Sequence, residues 1–405
     1  MDEELESAGR VNYSRLKKEL LLALPELGID KLGVASAAPF TEMKQRLLLH
    51  RERGHESGFE EPDIDKRTDP ALLFKDPQSI ISIAVAYPSK LANGPKSEPG
   101  ARRGIISRAS WGSDYHGVLR NRMQRLEDWL RERVPHLRSE SMVDTGALVD
   151  RAVAERAGLG WSAKNCAIIT PEFGSYVFLG EMITNLPLQP DTPITDQCGE
   201  CTKCIDACPT GALVGPGQLN SKICISFVTQ TKDFVEDEMM RKIGNRLYGC
   251  DTCQVVCPVN KGKNWTHQPE LQPDPEVVKP LLVPLLTISN REFKDNYGST
   301  SSAWRGRKPI QRNAVIGLGN FKEASAVPDL IGVLRKDPRP VLRGTAAWAL
   351  GRIGGSNAEA GLREALAGEK DEDVLERIAQ AQEMMAAEEA KARSKKTAET
   401  ANSSL

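Results

Sequence analysis

Apolar positions recur at helical spacing over much of residues 14–60, where Ser14 is the expected N-cap ahead of Leu16, Leu20, Leu21 and Leu24. A short strand, Ile29–Ala35, interrupts that stretch with Gly33 inside it. Ile80–Tyr87 follows Asp76-Pro77 and is rich in Ile, Val and Tyr, which predicts a strand. Tyr115–Val134 places Val118, Leu119, Met123, Leu126 and Leu130 on one face of a helix. Asp150–Gly158 reads as a second short helix closed by Gly158. Ala167–Thr170 and Tyr176–Ile183 read as strands. Helices alternating with strands predict an α+β protein whose first 190 residues form an α/β-type core.

The pattern changes over the last 100 residues. Ala314-Val-Ile-Gly-Leu-Gly319 recurs 32 residues later as Ala346-Ala-Trp-Ala-Leu-Gly351, and Asp337–Val341 has a weaker echo in Asp371–Val374. Ala, Leu and Gly at fixed helical positions with that period mark stacked helix pairs, similar to HEAT repeats. Pro269–Pro284 reads as a linker or ordered loop. The expected division is a core over 1–190, a cysteine-rich domain over 191–270, helical repeats over 271–385 and a disordered tail over 386–405.

Charge excludes a global attraction to polyanions: 54 basic and 55 acidic residues leave a net charge of −1, so such a site must be a local patch. No apolar run approaches the roughly 20 residues that span a bilayer. The acidic start, Met1-Asp-Glu-Glu-Leu-Glu6, has no apolar signal core, so no membrane association is expected and a cytoplasmic location is.

Eight of the nine cysteines lie between Cys198 and Cys257. Clustered thiols in a reducing compartment usually hold metal. Cys198-x2-Cys201-x2-Cys204-x3-Cys208-Pro209 has the bacterial ferredoxin spacing for a [4Fe–4S] cluster. Two-residue gaps let three thiolates wrap one cube, while the fourth points to another. Cys250-x2-Cys253-x3-Cys257-Pro258 lacks one cysteine of this pattern, and Cys224 supplies it. The assignment is Cys198, Cys201, Cys204 and Cys257 to one cluster and Cys208, Cys224, Cys250 and Cys253 to the other. A pair of zinc sites would use eight thiols too, but gives no reason for the third Cys at x2 or the repeated Cys-Pro. Two clusters imply one-electron transfer, and about 190 residues ahead of them imply something that receives the electrons.

No P-loop is present. Gly158-Leu-Gly160-Trp-Ser-Ala163 fits a relaxed dinucleotide fingerprint but follows a helix-like segment instead of a strand. Asp114-Tyr-His116 opens like the D-x-H-x-x-G cobalamin motif, with Leu119 where the glycine belongs.

Arg102–His116, Val143-Asp-Thr-Gly146, Asp150–Cys166 and the two cysteine runs together resemble the epoxyqueuosine reductases over roughly residues 10–350. The resemblance implies reduction of epoxyqueuosine at the wobble position of tRNA, the last step of queuosine synthesis. It implies a cobalamin-binding core with two [4Fe–4S] clusters and a relation to reductive dehalogenases. Asp144 matches the family's acid, for which a raised pKa is expected beside an apolar corrin. Arg67, Ser107, Asp144, Arg151, Trp161, Lys164, Asn165, Ile168 and Ser226 are the expected cofactor contacts. Tyr115 and His116 match positions that line the substrate pocket. The missing motif glycine implies that no protein histidine binds the cobalt, leaving cobalamin base-off. Cys166 is expected to be a buried free thiol.

Residues 301–352 hold ten basic and three acidic residues, a local +7. Such a ridge on a helical repeat suits phosphate tracking along tRNA, with Trp304 stacking on a base beside Arg305 and Arg307. A monomer with an external flavodoxin- or ferredoxin-type electron donor is expected. The alternatives are a reductive dehalogenase-like enzyme acting on a small molecule, and a ferredoxin-type carrier. The acidic start lacks the twin-arginine signal of the first, and the basic repeats have no use on a halocarbon.

Overall fold

A computed structural model describes residues 11–402. The chain packs as two units. One gathers the chain up to Lys90 with Arg108–Cys224 and Asp251–Pro273; the other gathers Leu91–Ser107, Ile225–Cys250 and Asp274 onward.

The first unit is built on a four-stranded antiparallel sheet: β1 (Lys31–Ser36), β2 (Ser79–Ala86), β3 (Ser139–Met142) and β4 (Val177–Thr184), in the order β1-β2-β4-β3. The antiparallel pairing makes this core α+β. Every residue of β2 is buried, as expected of an Ile/Val-rich central strand covered on both faces. Ile81, Ile83, Val85, Phe178 and Met182 pack against Leu16 and Leu20 of α1 (Tyr13–Leu27) and Leu119, Met123 and Leu126 of α3 (Tyr115–Arg133). On the opposite face, Ile80, Ala84 and Ile183 meet Met43 and Leu47 of α2 (Thr41–Glu52) and Ala152 and Val153 of α4 (Asp150–Arg156).

The cap of α1 is Asn12, whose side chain accepts from Arg15 N at 3.0 Å, so Ser14 falls in the first turn. β3 was not foreseen from the sequence. It is a polar edge strand, Ser-Glu-Ser-Met, with no apolar alternation to announce it. The expected strand at Ala167–Thr170 shortens to Ile168–Ile169, paired with Trp161–Ser162.

The second unit is a stack of helices: α5 (Leu282–Thr287), α6 (Arg307–Phe321), α7 (Val327–Lys336), α8 (Pro340–Ile353), α9 (Ser356–Leu366) and α10 (Glu372–Asn402). The repeated Ala-rich segments lie in α6 and α8. Their closing glycines are where neighbouring helices come closest: a Cβ on Gly319 would lie 3.0 Å from Ala349 Cα, and one on Gly351 2.9 Å from Ala381 Cα. Asp337 and Asp371, the weaker echo, both accept backbone N–H groups at helix starts. Pro269–Pro284, read as a linker or ordered loop, passes from the first unit to the second after Pro273 and is ordered: Leu271 and Leu282 are fully buried and α5 begins within it. The tail expected to be disordered from 386 continues as helix through Asn402, in keeping with its Ala, Glu and Lys content. Residues 403–405 lie outside the described residues. No helix of the described residues is long and apolar enough to cross a membrane.

Candidate functional site

Asp144 sits in the turn between β3 and α4 at φ 53°, a left-handed conformation that Asp tolerates. Gly146 allows this turn to fold back, since a Cβ there would strike the Met142 side chain at 2.5 Å. Tyr115 Oη donates to Asp144 Oδ2 at 2.7 Å, and His116 Nε2 lies 3.2 Å from the same oxygen. The other ring nitrogen, His116 Nδ1, is 2.7 Å from Asp114 Oδ1, and Asp114 caps α3 through His116 N. The Tyr115 ring stacks on Phe178 at 4.4 Å with 6° between planes, which fixes its hydroxyl.

Hydrogen bonds to Asp114 and then Asp144 raise His116 to about 9, so at neutral pH it is an imidazolium donating from both nitrogens. The same contact holds Asp144 below the usual carboxylate range, with Tyr115 adding to it. This corrects the expectation of a raised Asp144 pKa: the proton of this assembly rests on His116 because the carboxylate has two donors and remains half-exposed. Behind the loop, Val143 and Thr145–Ala147 line a cavity of about 530 Å³ with Arg120, Met123, Gln124 and Met142.

Cys198, Cys201, Cys204 and Cys257 line one pocket, together with Ala163, Lys164, Asn165, Ile169 and Pro258. The Trp161 ring is buried. Its N–H lacks an ordinary hydrogen-bond acceptor and faces the Cys198 sulfur, whose thiolate it favours against burial. Burial disfavours the Cys208 thiolate, but N–H groups of Leu213, Thr210 and Ala212 and the Thr210 hydroxyl outweigh it and hold that thiol below its usual value. Such sulfurs, ringed by N–H donors, fit iron–sulfur ligation. Cys208, Cys224 and Cys253 belong to the first unit, and Cys250 ends a stretch of the second.

Several expected cofactor contacts carry buried polar atoms with nothing to bond. Arg67 Nη1 has no partner, and neither does Arg151 Nε, although Arg151 Nη1 donates to Cys166 O at 2.7 Å. Unsatisfied buried cationic N–H groups fit a ligand rich in amide and phosphate oxygens. Lys164 Nζ donates to Gly199 O, Asn165 Nδ2 lies 3.5 Å from Cys253 O, and Ile168 is buried. Cys166 is half-buried, with burial raising its thiol. Ser107 and Ser226 belong to the second unit, where Ser107 N donates to Tyr248 O at 2.9 Å and Ser226 O accepts from Gln230 Nε2 at 2.7 Å.

The basic ridge of the second unit is largely neutralised. Lys322, Arg335, Arg339 and Arg343 pair with Glu388, Glu364, Asp337 and Glu369. Arg312 is buried and bonds the carbonyls of Val228, Thr231 and Asp233. Arg307 is spent on Asn290 Oδ1 and Ile288 O. Trp304 is exposed, with Nε1 donating to Gln230 Oε1 at 2.8 Å and the Arg305 guanidinium 4.9 Å from the indole. Arg305 Nε donates to Gln230 O at 3.2 Å, and Lys308 and Lys336 are exposed.

Three residues of the first unit were missed from the sequence. Asp114 read only as part of a failed cobalamin motif. Asp150 read only as a helix start. Glu181 announced itself as the single charge in the apolar run Tyr176–Ile183, a signal passed over.

Three family models match: 4Fe-4S double cluster binding domain over residues 197–260, epoxyqueuosine reductase QueG over 67–145, and HEAT repeats over 305–383. An epoxyqueuosine reductase of Bacillus anthracis is 62% identical over 93% of this chain and 99% of its own length. A crystal structure of epoxyqueuosine reductase with an epoxyqueuosine-modified tRNA-Tyr stem loop superposes with a TM-score of 0.90 at 58% identity, covering 92% of this chain and 100% of that one. A Bacillus subtilis epoxyqueuosine reductase with its catalytic aspartate loop swung out of the active site matches at 57% identity, a TM-score of 0.90 and the same coverage.

Proposed function

Because the chain belongs to the epoxyqueuosine reductase family, we propose that it removes the epoxide oxygen of epoxyqueuosine in the wobble nucleotide of tRNA, with electrons passing through two [4Fe–4S] clusters to cobalamin. The reaction consumes two electrons and two protons and releases the oxygen as water. The observation that carries this reading is the assembly of Asp144, His116 and Tyr115, a proton-loaded acid group in the chain with the family's cysteine pattern.

Bound cobalamin would supply the low-potential reductant. Arg67, Ser107, Arg151, Lys164, Asn165, Ile168 and Ser226 would hold it. His116, engaged by Asp114 and Asp144 on both nitrogens, would not be offered to the cofactor. Cys198, Cys201, Cys204 and Cys257 would ligate one cluster, and Cys208, Cys224, Cys250 and Cys253 the other.

The chain's own residues manage the proton. At rest it sits on His116 Nε2, 3.2 Å from Asp144 Oδ2. A nucleoside covering Asp144 excludes water and penalises the separated charges, which favours the neutral pair. The proton then passes to Asp144 and on to the departing oxygen. Tyr115 holds Asp144 in place throughout. Trp304 and Arg305 would meet the RNA through stacking and phosphate contact. The donor would be a flavodoxin or ferredoxin, and the enzyme a cytoplasmic monomer, where its tRNA substrate is found.

The test is anaerobic preparation with cobalamin, metal analysis and assay on tRNA bearing epoxyqueuosine. About eight irons per chain with product formed are expected from two cubanes, and Cys257→Ser should lower iron towards about four. Asp144→Asn should abolish turnover while iron and corrin stay bound. A colourless, zinc-loaded protein without product overturns the reading.

A further inference from the structure

Behind the Asp144 loop lies a charge that the chemistry above does not use. Glu181 stands at the centre of β4, on the face covered by α4, opposite Ser82 of β2 and Met142 of β3 in register. It is fully buried. Among the described residues neither carboxyl oxygen has a donor, and Ser82 Oγ is likewise without a partner. Among the described residues Glu181 faces the carboxyl of Asp150, the first residue of α4, with the charge of Asp144 beyond it. Asp150 in turn accepts two backbone N–H groups, its own and that of Asp144.

Two carboxylates in contact inside a protein cannot both ionise, so a proton must lie between them. The charges that face the pair are each other and Asp144, all acidic; beyond Asp144 stand His116 and Asp114. We propose that Asp150 and Glu181 share one proton and together form the tether that positions Asp144, with protonated Glu181 donating to the Asp150 carboxylate while that carboxylate holds the Asp144 N–H. The pair consists of positioning residues. The proposal rests on the reading of Asp144 as the acid.

The ionisation behaviour agrees. Burial, and then the charge of Asp150, hold Glu181 well above the usual carboxylate range; burial, and then the charge of Asp144, raise Asp150 to about 6. At neutral pH the proton therefore resides on Glu181 and the anion on Asp150. Acidification through about 6 neutralises the acceptor that holds the loop. The tether is intact above that value.

Two measurements on the holoenzyme judge this without relying on turnover. Infrared difference spectroscopy should show a protonated carboxyl at neutral pH that is absent in Glu181→Gln. Hydrogen exchange should show residues 143–149 protected at neutral pH, with protection lost in Asp150→Ala and partly kept in Asp150→Asn, whose amide oxygen still accepts. Glu181→Gln, whose amide still donates to Asp150, should keep the loop protected at neutral pH. Asp150→Ala should lower kcat by roughly tenfold or more while tRNA affinity and iron content stay constant. Absence of the carboxyl band from the parent protein, or unchanged loop exchange in Asp150→Ala, overturns the proposal. Turnover retained by Asp144→Asn would instead remove the acid reading and leave the tether to be judged by exchange and infrared alone.

Discussion

Replacing Asp144 by Asn removes one of the two carboxylates that keep His116 charged, and the size of the effect follows from the geometry. Moving an imidazole from 6.5 to about 9 corresponds, at about 1.4 kcal/mol per pH unit, to roughly 3 kcal/mol in favour of the imidazolium. Asp114 and Asp144 are 42% and 57% exposed, so solvent screening reduces that to about half. The parent midpoint should therefore fall between about 7.5 and 9. The contact to Asp114 at 2.7 Å carries the larger share and that to Asp144 at 3.2 Å the smaller. Asp144→Asn should lower the midpoint by about half a pH unit, and Asp114→Asn by more. The assay is an NMR titration of the His116 ring, assigned with His116→Gln among the five histidines. The sign is fixed by linkage. A raised folded-state pKa gives stabilisation that is complete below 6.5 and lost as pH rises through the raised midpoint. Turnover should fall along that alkaline limb, where the stored proton disappears. A parent midpoint at or below 6.5, or one that Asp144→Asn leaves in place, refutes the reasoning.

The second unit offers two further tests. Arg312→Ala strands the carbonyls of Val228, Thr231 and Asp233 in a buried site and should cost about 3 kcal/mol or more; calorimetry should show the thermal midpoint lowered by several degrees, and an unchanged midpoint would mean that the guanidinium bonds contribute nothing. Arg305→Glu should weaken tRNA binding and flatten its salt dependence by about one unit of log–log slope per lost phosphate contact; binding with the parent's slope would take Arg305 out of the interface.

What the sequence made readable is what is local in it. The cysteine spacing, the paired Ala-rich segments ending at Gly319 and Gly351, and the periodicity of Tyr115–Arg133 each lie within one stretch of chain. They survive as a thiol-lined pocket, close-packed helices and α3. The misreadings arose where a partner came from far away. β3 has no apolar pattern because it is a sheet edge, recruited by Glu181–Thr184. Part of the +7 ridge is neutralised because Glu364, Glu369 and Glu388 return to it from downstream helices. Asp144 could be singled out from Val143-Asp-Thr-Gly146, but its pKa could not, since that depends on a histidine 28 residues upstream.

The arrangement of the acids in the first unit follows from where its helices begin. Asp114 caps α3 and takes a backbone N–H there, and Asp150 takes its own N–H and that of Asp144. Backbone donors stabilise the anion over the acid. Each of these two carboxylates is thus held ionised, and each presses a proton onto the neighbour that has no such support. For Asp114 that neighbour is His116; for Asp150 it is Glu181, whose oxygens receive nothing from the backbone. Asp144 lies between the two, bonded through its side chain to His116 and through its N–H to Asp150. One proton is thus placed on His116 and, in the proposed pair, another on Glu181, and removing either backbone-supported anion should disturb Asp144 without touching it directly. That consequence separates a pair of helix-start carboxylates that serve the acid from a pair that merely cap helices. Capping alone would leave the His116 midpoint indifferent to Asp114→Asn and the loop indifferent to Asp150→Ala.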